Sequence, residues 1–558
     1  MSINTDVKEG IKPVMTDPVQ DGGNALGTTA VLLQAKGLTL QSRTGASLLS
    51  DISFHIEPGE LVALTGLSRS GTSILLKCLA GLIKPSSGEI LIDGVNLYDN
   101  LKAFRSTIGY VPPELALHEH LTVLEILQDA ARMRLPRKAS SQDRKQRVQS
   151  VLEIAGLTSA RDQRAGLLNE VDMRKLSIAV ELIGHPKLML LDVSAEPLTP
   201  FDEVQIALLL RELSRQGTTV IYVNPRSRSA GLADKTIFLA PGGFMAWFGP
   251  SDEAFTYLKG FLPRGVVKDL FGLQEALEML VNPKERDGSQ WAKRFRDDPA
   301  YNRYVDDPLN NRYPDLMLQT RPLLRIRLRN SSKEKLPPPI VPRASLLQKF
   351  LLLVRRNSRL LWRERTGWRL LIIPLVVALV YFFLASLLPL NADRSSLSPG
   401  LLTFLIMLTS AFLVQNEIFR EGTVYQREHR TSPLLLPYVL AKVWLVGIWS
   451  IYQGVVWTIL HSFGELGIVG TTQAGVMQAL IPTGLTFTLT AFVGGVLGLI
   501  VSSFSRTTMT MGWVILLTIP LLLFFLDPFT HWSKLAVISL LLIALLMGIQ
   551  QGAARVRT

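Results

Sequence analysis

Residues 60–80 read ELVALTGLSRSGTSILLKCLA. Leu61 to Thr65 are β-prone and largely apolar and predict a buried strand, and Ile74 to Leu79 predict the start of a helix. Gly66 and Gly71 bracket the loop between them at the spacing G-x-x-x-x-G-K-[ST]. In such a loop backbone amides at a helix N-terminus face phosphate groups, and the lysine neutralises their charge. The phosphate cradle expected here is Gly66, Ser68, Ser70, Gly71, Thr72 and Ser73. Ser73 keeps the hydroxyl that would meet Mg²⁺, but Thr72 stands where the lysine belongs and carries no charge. Lys77 lies more than one helical turn further on, and Arg69 is expected to point outward, so neither replaces it.

The chain of 558 residues has room for two to four domains, and its apolar fraction of 47% conceals a division. Before about Arg369 the sequence is charged and mixed, whereas from Leu370 onward apolar blocks recur that are long enough to cross a bilayer. The formal charge of +13 would suit nucleic acid, but many arginines adjoin the apolar blocks, where cytoplasmic anchoring accounts for them better. A single cysteine, Cys78, excludes an internal disulfide and a cysteine metal cluster. No secretion signal is evident, and residues 1–30 are polar, aperiodic and expected to be disordered.

Around the phosphate loop, VLLQAKGLTL from Val31 and ISFHIEPGELVALTG predict strands in hairpin spacing, and SGEILIDGVNLYD predicts a strand pair turning at Asp93-Gly94. Helices are expected over Leu121 to Met133, Ser141 to Gly156 and Met173 to Leu182. Later strands are expected at Lys187 to Asp192, Thr218 to Val223 and Thr236 to Ala240. The alternation predicts an α/β P-loop NTPase-type domain: a mostly parallel sheet with an antiparallel β layer.

Over roughly Val31 to Phe261 the order of these pieces resembles the nucleotide-binding domain of ABC transporters. IGYVPPELALHEHLTVLEIL, RKLSIAVELIGHPKLMLLD and LAPGGFMAWFGPSDEAFTYL resemble the G subfamily, in which this domain precedes the membrane domain. The resemblance implies ATP with Mg²⁺ as cofactor, and Ser73 and Asp192 as the metal-facing residues. It also shows what has been replaced. The signature LSGGQ falls on Leu168-Asn169-Glu170-Val171-Asp172, without its glycines and with added negative charge. The catalytic glutamate position is Val193, the glutamine-loop position Pro113, the switch histidine Asn224 and the Asp-loop aspartate Thr199. No aromatic residue between Leu40 and Asp51 is available to stack on adenine. Valine cannot accept a proton, and loss of a general base alone costs orders of magnitude in rate.

Residues 262–344 include WAKRFRDDPAYNRYV and KLPPPIVP and are read as a solvated linker. Residues 345–368 place Leu346, Leu347, Phe350, Leu351, Val354, Leu361 and Trp362 at helical spacing among Lys349, Arg355, Arg356, Arg359 and Arg363. This pattern predicts a helix lying in the cytoplasmic membrane interface, the elbow helix of the family resemblance. An all-α membrane domain of about six helices is expected over 369–558: Leu370 to Leu388, Leu401 to Val414, Tyr438 to Leu460, Leu480 to Val501, Gly512 to Leu526 and Leu535 to Ile549. Basic loops then fall on the side of both termini, placing the ends in the cytoplasm of what the compactness and short external loops suggest is a bacterial plasma membrane. NEIFREGTVYQREHRTSPLLLPYVLAKVWL resembles the loop that docks on the nucleotide-binding domain, so Glu417, Glu421, Arg427, Glu428 and Arg430 are expected to make that contact. Thr483, Thr486, Thr490, Gly494 and Gly498 form a small-residue face suited to close helix packing. By resemblance Phe404, Met407, Leu408, Ile515 and Thr518 are candidates to line a central cavity.

These expectations define a half-transporter of the G type, an ATP-binding cassette fused to a permease. It would export an unknown, lipophilic substrate as a homodimer or as a heterodimer with another ABC half-transporter, in contact with membrane lipid and without nucleic acid. Loss of the lysine, general base, signature, glutamine and histidine makes it a passive or regulatory subunit, a pseudo-ATPase. The alternatives are an active ATP-driven exporter with unusual site residues and a nucleotide-independent lipid scramblase or channel.

Overall fold

The computed structural model describes residues 30–66, 70–193, 199–223, 230–259, 288–310, 338, 344–363, 365–387, 399–415, 417–431, 435–464 and 473–504. The first domain contains β1 (Leu33–Gln41), β2 (Ser47–Ile56), β3 (Leu61–Gly66), α1 (Thr72–Leu79), β4 (Ser87–Ile92), β5 (Val95–Asn96), α2 (Leu101–Phe104), β6 (Ile108–Val111), α3 (Val123–Arg134) and α4 (Ser141–Ile154). It continues with α5 (Glu170–Leu182), β7 (Leu188–Leu191), α6 (Pro200–Arg215), β8 (Thr219–Val223), β9 (Lys235–Ala240), β10 (Phe244–Pro250), α7 (Ser251–Lys259) and α8 (Ser289–Arg296).

The strands form one sheet in the order β5-β4-β1-β2-β10-β9-β3-β8-β7-β6. β3, β8, β7 and β6 run parallel, with Leu64 beside Val223, Leu191 beside Tyr222 and Val111 beside Leu191. β1 pairs antiparallel with β2 and β4. The parallel strands read as continuous apolar runs because helices cover both faces: β3, β6, β7 and β8 are buried almost throughout. Helix starts are set by side chains. Thr122 and Glu125 form a capping box at α3, Ser140 and Asp143 one at α4, and Asn169 and Thr199 cap α5 and α6. Neither α6 nor β10 was foreseen from the sequence.

Part of the expected linker is not solvated. Trp291 and Phe295 on α8 are 5% and 0% exposed, and Tyr304 and Val305 are also buried in the core of the first domain. The Trp247 ring lies 5.4 Å from Phe295, and a Cβ on Gly249 would meet the Tyr304 ring at 2.8 Å. A polar stretch can do this because i, i+4 aromatics share one helix face while the arginines take the other.

The second domain comprises α9 (Leu346–Arg363), α10 (Arg365–Leu387), α11 (Pro399–Val414), α12 (Glu417–Thr431), α13 (Leu435–Gly464) and α14 (Gln473–Phe504). Among the described residues three helices, at Gly367–Leu384, Leu435–Phe463 and Leu480–Ser503, are long and apolar enough to cross a membrane, and Leu402–Val414 is a shorter apolar helix. The expected fifth and sixth spans lie outside the described residues. Helices in lipid gain little from burying apolar surface and associate through close backbone approach. A Cβ on Gly494 would stand 2.4 Å from the Met407 carbonyl oxygen, and one on Gly498 would stand 2.5 Å from that of Ala411, so these glycines let α14 lie against α11. Ser410 Oγ donates across the same contact to the Ala491 carbonyl at 2.6 Å.

Candidate functional site

Because β3, β8, β7 and β6 are adjacent and parallel, their carboxyl ends share one edge, where α/β sheets present their ligand loops. That edge carries Gly66, Val223, Asp192 with Val193, and the turn through Pro113. Gly71 caps α1 with φ +87° and offers no side-chain hydrogen bond to its first turn, the end of a helix at which an anion is favoured. A Cβ on Gly71 would meet the Leu48 carbonyl oxygen at 2.5 Å, and one on Gly66 would meet Ser70 Oγ at 2.3 Å. Neither glycine flanking the loop therefore has room for a side chain. Ser70 is buried, and Thr72 and Ser73 are half-buried at the first turn of α1. Ser68, Arg69 and Asn224 lie outside the described residues.

Asp192 is fully buried directly after β7, its backbone N–H donating to the Val111 carbonyl at 2.9 Å. Val193 follows it, 8% exposed. The donor set fits the phosphates and metal of a Mg-nucleotide through the α1 amides, the Ser73 hydroxyl and the Asp192 carboxylate. At the neighbouring positions Thr72 carries no charge, Val193 is aliphatic and Pro113 has no side-chain amide. The Pro113 carbonyl instead accepts from Arg174 Nη1 at 3.0 Å, which ties this turn to the start of α5. Asn169 Oδ1 accepts the Asp172 N–H at 2.8 Å and Lys175 pairs with the Asp172 carboxylate at 3.4 Å. The acidic first turn of α5 is thus occupied by its own cap.

The two domains meet at a buried joint. Arg427 on α12 donates from Nε to Glu181 Oε1 at 2.9 Å, from Nη2 to the Ser177 carbonyl at 2.5 Å and from Nη1 to the Ala116 carbonyl at 3.3 Å. Arg134 on α3 grips the same Glu181 with both terminal nitrogens, at 2.5 and 2.9 Å. Burial acts to raise the Glu181 carboxyl, but the Arg134 and Arg427 charges outweigh it and hold the group down at about 2. Burial lowers the Arg427 guanidinium, which still stays charged at neutral pH. Arg430 lies over the Tyr110 ring, 4.5 Å from its centroid, and Nη1 reaches the Tyr110 carbonyl at 3.4 Å. Burial, and next to it the charge of Asp192, push the Tyr110 hydroxyl up.

The three glutamates expected at this contact turn elsewhere. Glu417 and Glu421 pair with the fully buried Lys442 on α13, at 2.8 and 2.9 Å, and Glu428 takes Arg356 of α9 in a two-point contact. An ammonium buried in a membrane helix demands carboxylates, and these are the nearest. The elbow helix differs from expectation as well. Arg356, Arg359 and Arg363 face protein, Arg359 pairing with Asp129 at 2.6 Å and Arg363 with Glu125, while Arg355 is exposed. Leu346, Leu347, Leu351 and Trp362 remain exposed on its other side. Glu181, Arg134, Asp129 and Lys442 were missed from the sequence. The available signal was a charge standing inside an apolar run, as in IAVELI and YVLAKVWLV.

Of the cavity candidates, Met407 is 2% exposed and packed against α14, Phe404 and Leu408 are half-buried beside it, and Ile515 and Thr518 lie outside the described residues.

Residues 49–198 match the ABC transporter family and residues 348–548 the ABC-2 type transporter family. The ABC transporter ATP-binding/permease protein Rv1747 of Mycobacterium tuberculosis is 25% identical over 86% of this chain and 52% of its own length. ABC transporter G family member 22 of Arabidopsis thaliana is 35% identical over 39% of this chain and 30% of its own. The broad substrate specificity ATP-binding cassette transporter ABCG2 of Rattus norvegicus is 32% identical over 40% of this chain and 34% of its own. The chain thus spans about half the length of the first relative and about a third of the other two. The ATP-binding module ahead of an ABC-2 membrane domain, together with these relatives, makes this chain a member of the ABC transporter family with the G-type half-transporter layout.

Proposed function

We propose that this chain is one half of a dimeric ATP-binding cassette exporter for a lipophilic cargo, and that its own nucleotide site does not turn ATP over. Val193 carries the reading. A general base must stand within hydrogen-bond reach of the attacking water, and the position after Asp192 holds a buried aliphatic side chain. Mg-ATP, when bound, would supply only phosphate charge to the α1 amides, Ser73 and Asp192. Those groups can hold a nucleotide and cannot deprotonate water. Closure of the ATP-binding domains is then powered from a competent partner half, and this chain transmits the movement through the Arg427 and Arg430 contacts on α5 and β6. The apolar character of Phe404, Met407 and Leu408 on α11 supports a lipophilic cargo entering from the bilayer.

The test is nucleotide affinity and ATPase rate of the full chain in lipid nanodiscs with Mg²⁺, beside Thr72→Lys and a Thr72→Lys/Val193→Glu pair. Turnover at the level of a no-protein control for the wild type, with affinity gained by Thr72→Lys, agrees with the proposal. Wild-type turnover that falls on Asp192→Asn would sink it and restore an ordinary active exporter.

A further inference from the structure

Where α3, α9 and α12 meet, the joint holds a cavity of about 40 Å³, room for about three or four waters at the roughly 10–15 Å³ that each needs. His118, on the loop leading from Pro113 to α3, lines it together with Asp129 and Arg356. His118 Nε2 and Arg356 Nε are buried and have no hydrogen-bond partner among the described residues, and Arg356 as a whole is 2% exposed. A proton on a buried imidazole nitrogen beside guanidinium groups is strongly disfavoured while the joint stays closed.

We propose that this joint is a proton-sensitive latch, in which protonation of His118 releases the ATP-binding domain from the elbow and docking helices. The charged groups that line the cavity or act on the ring are Asp129 and Arg134 on α3, Arg356 and Arg359 on α9, Arg427 and Glu428 on α12, and Lys442 on α13. Burial, then the Arg356 charge, push His118 down to about 3, with Lys442 and Arg359 adding to the effect and Glu428 opposing it. Released into water the imidazole returns to about 6.5. The closed joint is therefore at full strength above pH 6.5 and weakens as the pH falls from there toward 3, because the open form binds the extra proton. His429 on α12 is also lowered, by burial and then by Arg105 and Lys349, and acts in the same direction. The Asp129 carboxyl is raised by burial, so it favours the closed form, but in the more acidic carboxylate range. Glu181, held at about 2, is silent in this window.

The experiment is hydrogen exchange of the full chain in nanodiscs at pH 7.5, 6.5 and 5.5, corrected for intrinsic exchange. Protection in residues 116–135 and 417–431 is expected to fall about tenfold between pH 7.5 and 5.5, the increase in opening constant that one proton uptake at 6.5 produces. Protection of the β3 and β8 core should stay unchanged. His118→Gln and His118→Asn should each keep the fall below about threefold, while His429→Gln should retain most of it. No fall in the wild type, an equal fall in the His118 variants, or an equal fall in the core strands overturns the proposal. If neither His118 variant folds, the wild-type curve decides: onset near pH 6.5 supports the latch, and onset only near pH 4 assigns the opening to carboxylates and refutes it.

Discussion

Replacing Glu181 with alanine should weaken the molecule more than any single change to its partners. Glu181 is 2% exposed and stands between Arg134 and Arg427, whose side chains are 7% and 5% exposed. Removing the carboxylate leaves two guanidinium groups buried without their counter-charge, a change that costs about 3–5 kcal/mol. Linkage gives the same scale. A carboxyl held at about 2 instead of its usual 4.5 contributes roughly 3 kcal/mol near neutral pH. That contribution is complete above pH 4.5 and lost as the pH falls toward 2. For a domain of this size about 3–5 kcal/mol corresponds to a drop in Tm of roughly 6–20 °C. Thermal unfolding followed by tryptophan fluorescence reports it, since Trp247 and Trp291 lie in the core of the ATP-binding domain. Arg427→Ala should cost less, because Arg134 still holds Glu181. Replacing all three residues by apolar ones of similar volume should recover much of the loss, because it removes buried charge in balanced form. A Tm for Glu181→Ala within 2 °C of an exposed control such as Glu119→Ala would refute the reasoning, as would a triple variant less stable than Glu181→Ala alone.

Two further outcomes follow from packing. Trp291→Ala should destabilise the ATP-binding domain by about 3–5 kcal/mol, seen as earlier loss of the Trp247 signal on heating; a solvated linker would give no change. Gly494→Val should separate α14 from α11, because the added carbon meets the Met407 carbonyl at 2.4 Å, and should be seen as loss of monodisperse protein on size exclusion in detergent. Normal behaviour of that variant would show that the two helices do not approach so closely.

The dependence of the site on particular residues explains what could be foreseen. Gly66 and Gly71 stand at fixed spacing on either side of a strand-to-helix turn, Gly71 at a positive φ, so the turn between β3 and α1 was legible. The burial of Val193 directly after Asp192 follows from its place at the end of an apolar strand. α6 was overlooked because its apolar residues lie inside a run already rich in leucine, where the 3.6-residue period is hard to separate from an extended segment. The burial of Trp291, Phe295, Tyr304 and Val305 was overlooked because charge dominates the composition around them, although Trp291 and Phe295 at i, i+4 already marked one apolar face.

The sequence by itself determined the order of domains, the parallel strands that end at Gly66 and Asp192, the apolar helices, and the residue types at the loop positions. All of these depend on local spacing and side-chain chemistry. Only the tertiary structure decided which charge meets which. Glu181 selects Arg134 and Arg427, Glu428 selects Arg356, Asp129 selects Arg359, and Lys442 gathers Glu417 and Glu421. A charge in sequence has many candidate partners, and burial between helices brought together from distant parts of the chain leaves each with the few that geometry places within reach.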